Sequence, residues 1–174
     1  GGTVTVLISG LPAGVGSYVQ YDRKLDAVLA MHLMSIQAVK SVSFGLGQAA
    51  AARLGSGVHD EMFIKDGKVV RKTNRAGGIE GGMSNGEPIV LRVTFKPIPT
   101  LVKGLKTVDV RTGEATTAAA ERSDVCAVPA GGVVAESALA FVLANELLRV
   151  SGGDALPQIQ AAVEALRQRG NVLP

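Results

Sequence analysis

The sequence predicts an α+β fold in which strands and hairpins pack on buried helices. Two hydrophobic spacings carry this expectation. Thr3–Ser9 and Ile89–Phe95 read as strands, the latter with clear apolar–polar alternation. Leu25–Ile36 and Gly131–Arg149 instead repeat apolar residues at helical spacing. A third observation is the turn chemistry, with Asp66-Gly67 a strong hairpin signal and Thr112-Gly113 a weaker one. The order is strand, helix, strands, glycine-rich loop, strands, helices, which fits α+β better than a regular βα alternation.

Each element follows from local chemistry. After the first strand, Pro12, Gly14 and Gly16 punctuate a loop over Gly10–Gly16. Asp22 is the expected N-cap of a helix carrying Leu25, Val28, Leu29, Leu33 and Ile36. Ser41–Phe44 is a short strand and Gln48–Leu54 a short helix. His59–Ile64 and Lys68–Lys72 form a hairpin around Asp66-Gly67. Thr107–Val110 and Glu114–Thr117 form the weaker one. Val133, Val134, Leu139, Val142, Leu143, Leu147 and Leu148 make the long helix apolar over more than one face, which predicts burial on most sides. Ser151-Gly152-Gly153 ends it, and Asp154 caps a last helix over Leu156–Arg167.

Composition narrows the function classes. The 174 residues are 47% hydrophobic, sufficient for the core of one domain or of part of a larger one. Aromatics are 3% with no Trp, which argues against the stacking platforms of single-stranded nucleic-acid binders. A net charge of +3 without a long Lys/Arg run disfavours a polyanion surface but permits a local anion site. No apolar run approaches the roughly 20 residues that span a bilayer. The single Cys126 allows no internal disulfide and fits a reducing, cytoplasmic setting. Strand-like residues start directly after Gly1-Gly2, with no Met and no signal-like segment. This predicts a chain that begins inside a longer protein.

Three motifs carry candidate chemistry. Asn74–Gly86 holds five glycines in thirteen residues, interleaved with Arg75, Glu80, Ser84 and Asn85. Such a turn can aim several amide N–H groups at one anion, or it can be an irregular crossing between strands. It lacks the Gly-Lys-Ser/Thr ending of a P-loop and the strand-to-helix context of a dinucleotide fingerprint. Phe95-Lys-Pro-Ile-Pro-Thr100 is a stiff turn that either clamps a phosphate or ring through Lys96 and Thr100, or is only a rigid surface turn. Arg122-Ser-Asp124 precedes the long helix. Asp124 there is either a proton acceptor tuned by Arg122 and burial, or part of a structural ion pair or cap. Cys126 is read as a small core residue, His32 as a packed or partly exposed histidine, and Leu25–Met34 as core. His59-Asp60-Glu61 lacks metal-ligand spacing, so no metal site is expected.

Taken together, five ordered segments resemble chorismate synthase. They are Leu11-Pro-Ala-Gly-Val-Gly-Ser-Tyr18, Leu33-Met-Ser-Ile-Gln-Ala-Val-Lys40, Arg75-Ala-Gly-Gly-Ile-Glu-Gly-Gly-Met-Ser-Asn-Gly86, Phe95–Thr100 and Arg122–Glu136. The last is the most specific, running Arg-Ser-Asp-Val-Cys, small residues, then Val133-Val-Ala-Glu136. The resemblance covers nearly the whole chain. It implies a β-α-β sandwich, a homotetramer, and the anti-1,4-elimination of phosphate from 5-enolpyruvylshikimate 3-phosphate to give chorismate in the shikimate pathway. It implies reduced FMN as cofactor, with NADPH as the associated reductant, used by the enzyme or by a separate reductase.

Matched position by position, the family's flavin contacts fall on Gln37, Ala38, one of Gly81 and Gly82, Lys96, Pro97, Ile98, Pro99, Thr100 and Arg122. Asp124 matches the aspartate that helps move the substrate proton, and Arg122 would also face the anionic substrate. There are departures. Phe44-Gly-Leu-Gly-Gln48 stands for the family's Gly-Asp-Gly-Phe, Pro99 for a common Ser, and Pro12-Ala13 for Pro-Pro. The family's Gly-Glu-Ser-His-Gly motif does not occur, and His32 and His59 do not match its essential histidines. The resemblance therefore implies a single C-terminal part over residues 1–174, inactive alone. The other reading is a non-catalytic flavin- or phosphate-binding module that keeps only the fold.

Overall fold

A computed structural model describes residues 1–122 and 125–169. Strand β1 (Gly2–Ile8) is followed by a 3₁₀ turn at Tyr21–Arg23, helix α1 (Leu25–Met34) and strand β2 (Val39–Phe44). A 3₁₀ helix at Gly47–Ala52 and a 3₁₀ turn at Gly55–Gly57 lead to the hairpin β3 (Met62–Lys65) and β4 (Lys68–Arg71). Inside the glycine-rich run lie two short strands, β5 (Ile79–Glu80) and β6 (Met83–Ser84). Strand β7 (Ile89–Phe95), the hairpin β8 (Lys106–Val108) and β9 (Ala115–Thr117), and helices α2 (Val128–Ser151) and α3 (Leu156–Arg169) complete the order.

The main sheet has the order β1-β7-β2, antiparallel throughout. Its register sorts the side chains cleanly. Val4, Val93 and Val42 share a row on one face, and Val6, Leu91 and Phe44 share the next. The opposite face carries Thr3, Thr94 and Ser41, then Thr5, Arg92 and Ser43. Period-two alternation therefore puts Ile89, Leu91, Val93 and Phe95 into the core, all buried, while Arg92 points outward.

Helix α1 lays Leu25, Leu29 and Leu33 against this core, all fully buried at the i, i+4, i+8 spacing of one helical face. Its neighbours are β2 and α2. Helix α2 contributes Ala135, Leu139, Val142 and Leu143 and packs on β1, β7, α1 and α3. The described residues thus form a sheet layer and a helical layer, the α+β class expected.

Several local expectations are corrected. Asp22 is not the α1 N-cap, because Tyr21–Arg23 closes its own 3₁₀ turn and Lys24 takes the cap position. The second strand starts two residues earlier, at Val39, and the first arm of the β3–β4 hairpin is shorter than His59–Ile64. The long helix starts at Val128, with Pro129 in its first turn, where the missing N–H costs no hydrogen bond. That helix is buried on one stripe only. Val133 and Phe141 are 64% and 70% exposed, because nothing among the described residues covers its other side.

Candidate functional site

Helix α1 ends in a tight sequence of bonds. Ile36 N–H donates to Leu33 O at 3.1 Å, and Val39 N–H donates to Ile36 O at 3.2 Å. Between them Ala38 adopts φ 69°, a left-handed conformation unusual for a residue with a Cβ. The turn presents Gln37 and Ala38 beside the end of β7. There Lys96 N–H donates to the Ala38 carbonyl at 2.8 Å, stitching the two segments together.

A cavity of about 480 Å³ opens at this seam. Gln37 and Ala38 line one side, Phe95, Lys96 and Ile98 a second, and Cys126, Val128, Gly131 and Val134 at the start of α2 a third. Helix α2 approaches closely because residue 131 is glycine. A Cβ there would lie 2.7 Å from Phe95 Cε1. The walls are mainly apolar, with Ser35, Gln37 and Lys96 as the polar residues among them. That pattern of apolar lining with a few placed polar groups suits a flat organic ring bearing an anionic substituent. Among the described residues no carboxylate forms a salt bridge with Lys96.

The cavity therefore brings together Gln37, Ala38, Lys96 and Ile98. Pro97, Pro99 and Thr100 belong to the same turn but do not line it. Arg122 is exposed and borders a separate hollow with Val102, Ala120 and Glu121. Asp124 lies outside the described residues. Cys126 is exposed rather than a core residue, because it precedes the first turn of α2 and faces the cavity. The sequence does not single out Phe95, Val128 or Gly131 as cavity residues. Val128 and Gly131 belong to the run of small and apolar residues after Asp124, and Phe95 opens the Phe95–Thr100 turn.

Gly81 and Gly82 form the β5–β6 turn with φ 59° and 85°. They do not line the cavity on this chain. Gly82 O accepts the Leu25 N–H at 2.8 Å and the Ser17 N–H at 3.2 Å, which ties the turn to the start of α1. The polar residues between the glycines have partners as well. Glu80 pairs with Arg71 at 2.6 Å and accepts from Asn85 Nδ2 at 2.8 Å. Ser84 is buried, donates to Pro12 O at 2.6 Å and accepts the Val15 N–H at 2.9 Å.

Asp60 has a role that the sequence does not reveal. Its carboxylate accepts the backbone N–H groups of Arg75 at 2.8 Å and Ala76 at 2.9 Å, and the Thr73 hydroxyl. Burial acts to raise this carboxyl. The bonds from Thr73, Ala76 and Arg75, with the Arg75 charge, outweigh it and hold the group below its ordinary value. Among the described residues no group of three His, Cys, Asp or Glu side chains is placed to hold a metal ion, and no helix is long and apolar enough to cross a membrane.

Comparison with known proteins bears on this geometry. A family profile described as chorismate synthase matches residues 1–148. The chorismate synthase of Syntrophotalea carbinolica is 55% identical over 165 residues, covering 95% of this chain and 43% of that protein. That of Caldicellulosiruptor bescii is 53% identical over 171 residues, covering 98% and 45%. A crystal structure of chorismate synthase superposes with a TM-score of 0.77 at 39% identity, covering 96% of this chain and 42% of that one. The chain spans less than half the length of these relatives. Profile, sequence identity and shared fold agree over nearly all of its residues, and the chain belongs to the chorismate synthase family.

Proposed function

We propose that the chain works as the C-terminal part of a chorismate synthase, a carbon–oxygen lyase that is a homotetramer when complete. The observation that carries the reading is the cavity where Gln37, Ala38, Lys96 and Ile98 meet the start of α2. Its apolar walls fit the two faces of an isoalloxazine ring, and Lys96 fits an anionic group of the flavin. Reduced FMN, when bound, supplies transient electron density for the elimination, with no net redox change. The Gly81-Gly82 turn, the rest of the Lys96–Thr100 segment and Arg122 complete the cofactor and substrate contacts of the assembled enzyme.

In 5-enolpyruvylshikimate 3-phosphate the ring loses a proton, the electron pair of that C–H bond enters the ring, and the C–O bond to phosphate breaks. The products are chorismate and phosphate. Asp124 is the proposed acceptor on this chain for the departing proton, and Arg122 orients the anionic side of the substrate. The chain's own residues thus supply binding, orientation and one proton transfer.

The test uses the full-length protein with Asp124→Ala. A fall in turnover of about 100-fold or more, with FMN affinity within about two-fold, is expected. Unchanged turnover removes the assignment. The 174-residue chain alone is expected to be inactive, and turnover by it at the rate of the complete enzyme would refute the role as one part of the enzyme.

A further inference from the structure

The N–H groups of Arg75 and Ala76 are consecutive along the backbone, and both point at one carboxylate. Consecutive amides converging on one anion form a nest, a concave site that binds oxyanions. The Thr73 hydroxyl supplies a third donor and the Arg75 side chain a nearby positive charge. Asp60 reaches this nest from the segment after the Gly55–Gly57 turn, and Arg75 Nη1 reaches back to Ser56 O at 3.3 Å.

The backbone that forms the nest is held from its other side too. Arg75 O accepts the Leu46 N–H at 2.9 Å. Asn74 bridges Pro88 O at 2.7 Å and the Gly78 N–H at 2.8 Å. The neighbours of Asp60 take no part. Glu61 pairs with the surface Lys72 at 3.3 Å, and His59 is exposed.

We infer that Asp60 is a built-in anion that fills an oxyanion nest made by Thr73, Arg75 and Ala76, and so positions the start of the glycine-rich segment. The nest is a carboxylate site occupied from within the chain. A small carboxylate is the class of ligand it takes once the Asp60 side chain is removed. The amides of Arg75 and Ala76, at the start of the glycine-rich run, are committed here to an internal partner. The inference is independent of the cofactor cavity, which none of these residues lines.

The test is chemical rescue in the full-length protein. Asp60→Gly removes the carboxymethyl group and leaves room for acetate. Sodium acetate is expected to raise the melting temperature of Asp60→Gly saturably, and to slow hydrogen–deuterium exchange in a peptide spanning 73–78. Wild type and Asp60→Asn should respond no more than they do to sodium chloride at equal ionic strength. An acetate response of Asp60→Gly no larger than that of wild type overturns the inference, as does a variant that stays unfolded at saturating acetate. Asp60→Asn provides a second reading without added ligand. Exchange in 73–78 should accelerate about ten-fold or more while a peptide spanning 89–95 is unchanged. Equal acceleration in both peptides, or in neither, counts against it.

Discussion

The backbone N–H of Lys96 donates to the carbonyl of Ala38 at 2.8 Å, and Ala38 holds φ 69° to receive it. An alanine in the left-handed region costs about 1–2 kcal/mol relative to the ordinary basins. Ala38→Gly removes that strain but adds freedom to the unfolded chain worth about 0.5–1 kcal/mol. The expected change in unfolding free energy is therefore within about 1 kcal/mol of zero. Ala38→Val sets a β-branched side chain in the same conformation and is expected to cost about 2 kcal/mol or more. Urea midpoints of both variants test this, and a Val variant as stable as wild type would contradict the strained turn.

Ser84 of β6 is the buried polar group that fastens the loop preceding α1. Its hydroxyl donates to Pro12 O and accepts from Val15 N–H, while its own carbonyl accepts the Gly14 N–H at 2.8 Å. Ser84→Ala keeps the last bond and leaves two buried backbone groups without their partner. Each such orphan costs about 1–3 kcal/mol, so a loss of about 2 kcal/mol or more is expected in chemical denaturation. Ser84→Thr retains the hydroxyl and should recover part of the loss where its extra methyl is accommodated.

Legibility in the sequence follows the range of the interactions. Strand β7 is legible at its true bounds, because apolar–polar alternation sustained from Ile89 to Phe95 matches the period of a strand and not that of a helix. The Asp66-Gly67 turn is legible because both residues take φ above zero, 53° and 73°, as its type requires. Strands β5 and β6 are not. Two residues each are too short for any periodicity, although Gly81-Gly82 between Ile79-Glu80 and Met83-Ser84 is itself a two-residue hairpin signal. In the cavity, Gln37, Ala38, Lys96 and Ile98 follow from the motif resemblance. Gly131 and Phe95 need the packing of α2 on the sheet. Asp60 is invisible because two of its three donors are backbone amides 15 and 16 residues away.

The two glycines of the β5–β6 turn should separate sharply on substitution. A Cβ on Gly81 meets nothing within 4 Å, so Gly81→Ala bears only the left-handed backbone cost of about 1 kcal/mol. A Cβ on Gly82 would lie 2.6 Å from Lys24 Cγ and 2.7 Å from Ser17 O. The lysine stem can move, but the Ser17 carbonyl is backbone. Gly82→Ala is therefore expected to cost at least about 1 kcal/mol more than Gly81→Ala and to loosen the bond from Leu25 N–H to Gly82 O. Equal losses in the two variants would show that the turn is not packed against α1.

The acid limb of stability should report Asp60. Its folded value lies below the ordinary 3.8, so its contribution is complete above that value. As the pH falls, the unfolded chain takes up the proton first, and the stabilisation drains away until the folded value is passed. Wild type should therefore lose more stability between about pH 5 and about pH 3 than Asp60→Asn, which has no carboxyl to titrate. Urea midpoints at both pH values for both proteins check the sign. A parallel decline would assign the acid sensitivity to other groups.

Cys126 offers a direct reading of what the cavity holds. It is exposed at the start of α2 and lines the same space as Gln37 and Lys96. A thiol reagent should modify it readily in the absence of ligand, since reactivity follows thiolate fraction and access. If the isoalloxazine ring occupies this cavity, saturating FMN should slow modification of the Cys126 peptide about ten-fold by removing access. Lys96→Ala should require more FMN for the same protection, because the variant lacks the ammonium proposed to pair with an anionic group of the flavin. Protection that saturates at the same FMN concentration in both proteins would leave Lys96 without a binding role. A Cys126 rate indifferent to bound FMN would place the flavin on another surface of the assembled enzyme.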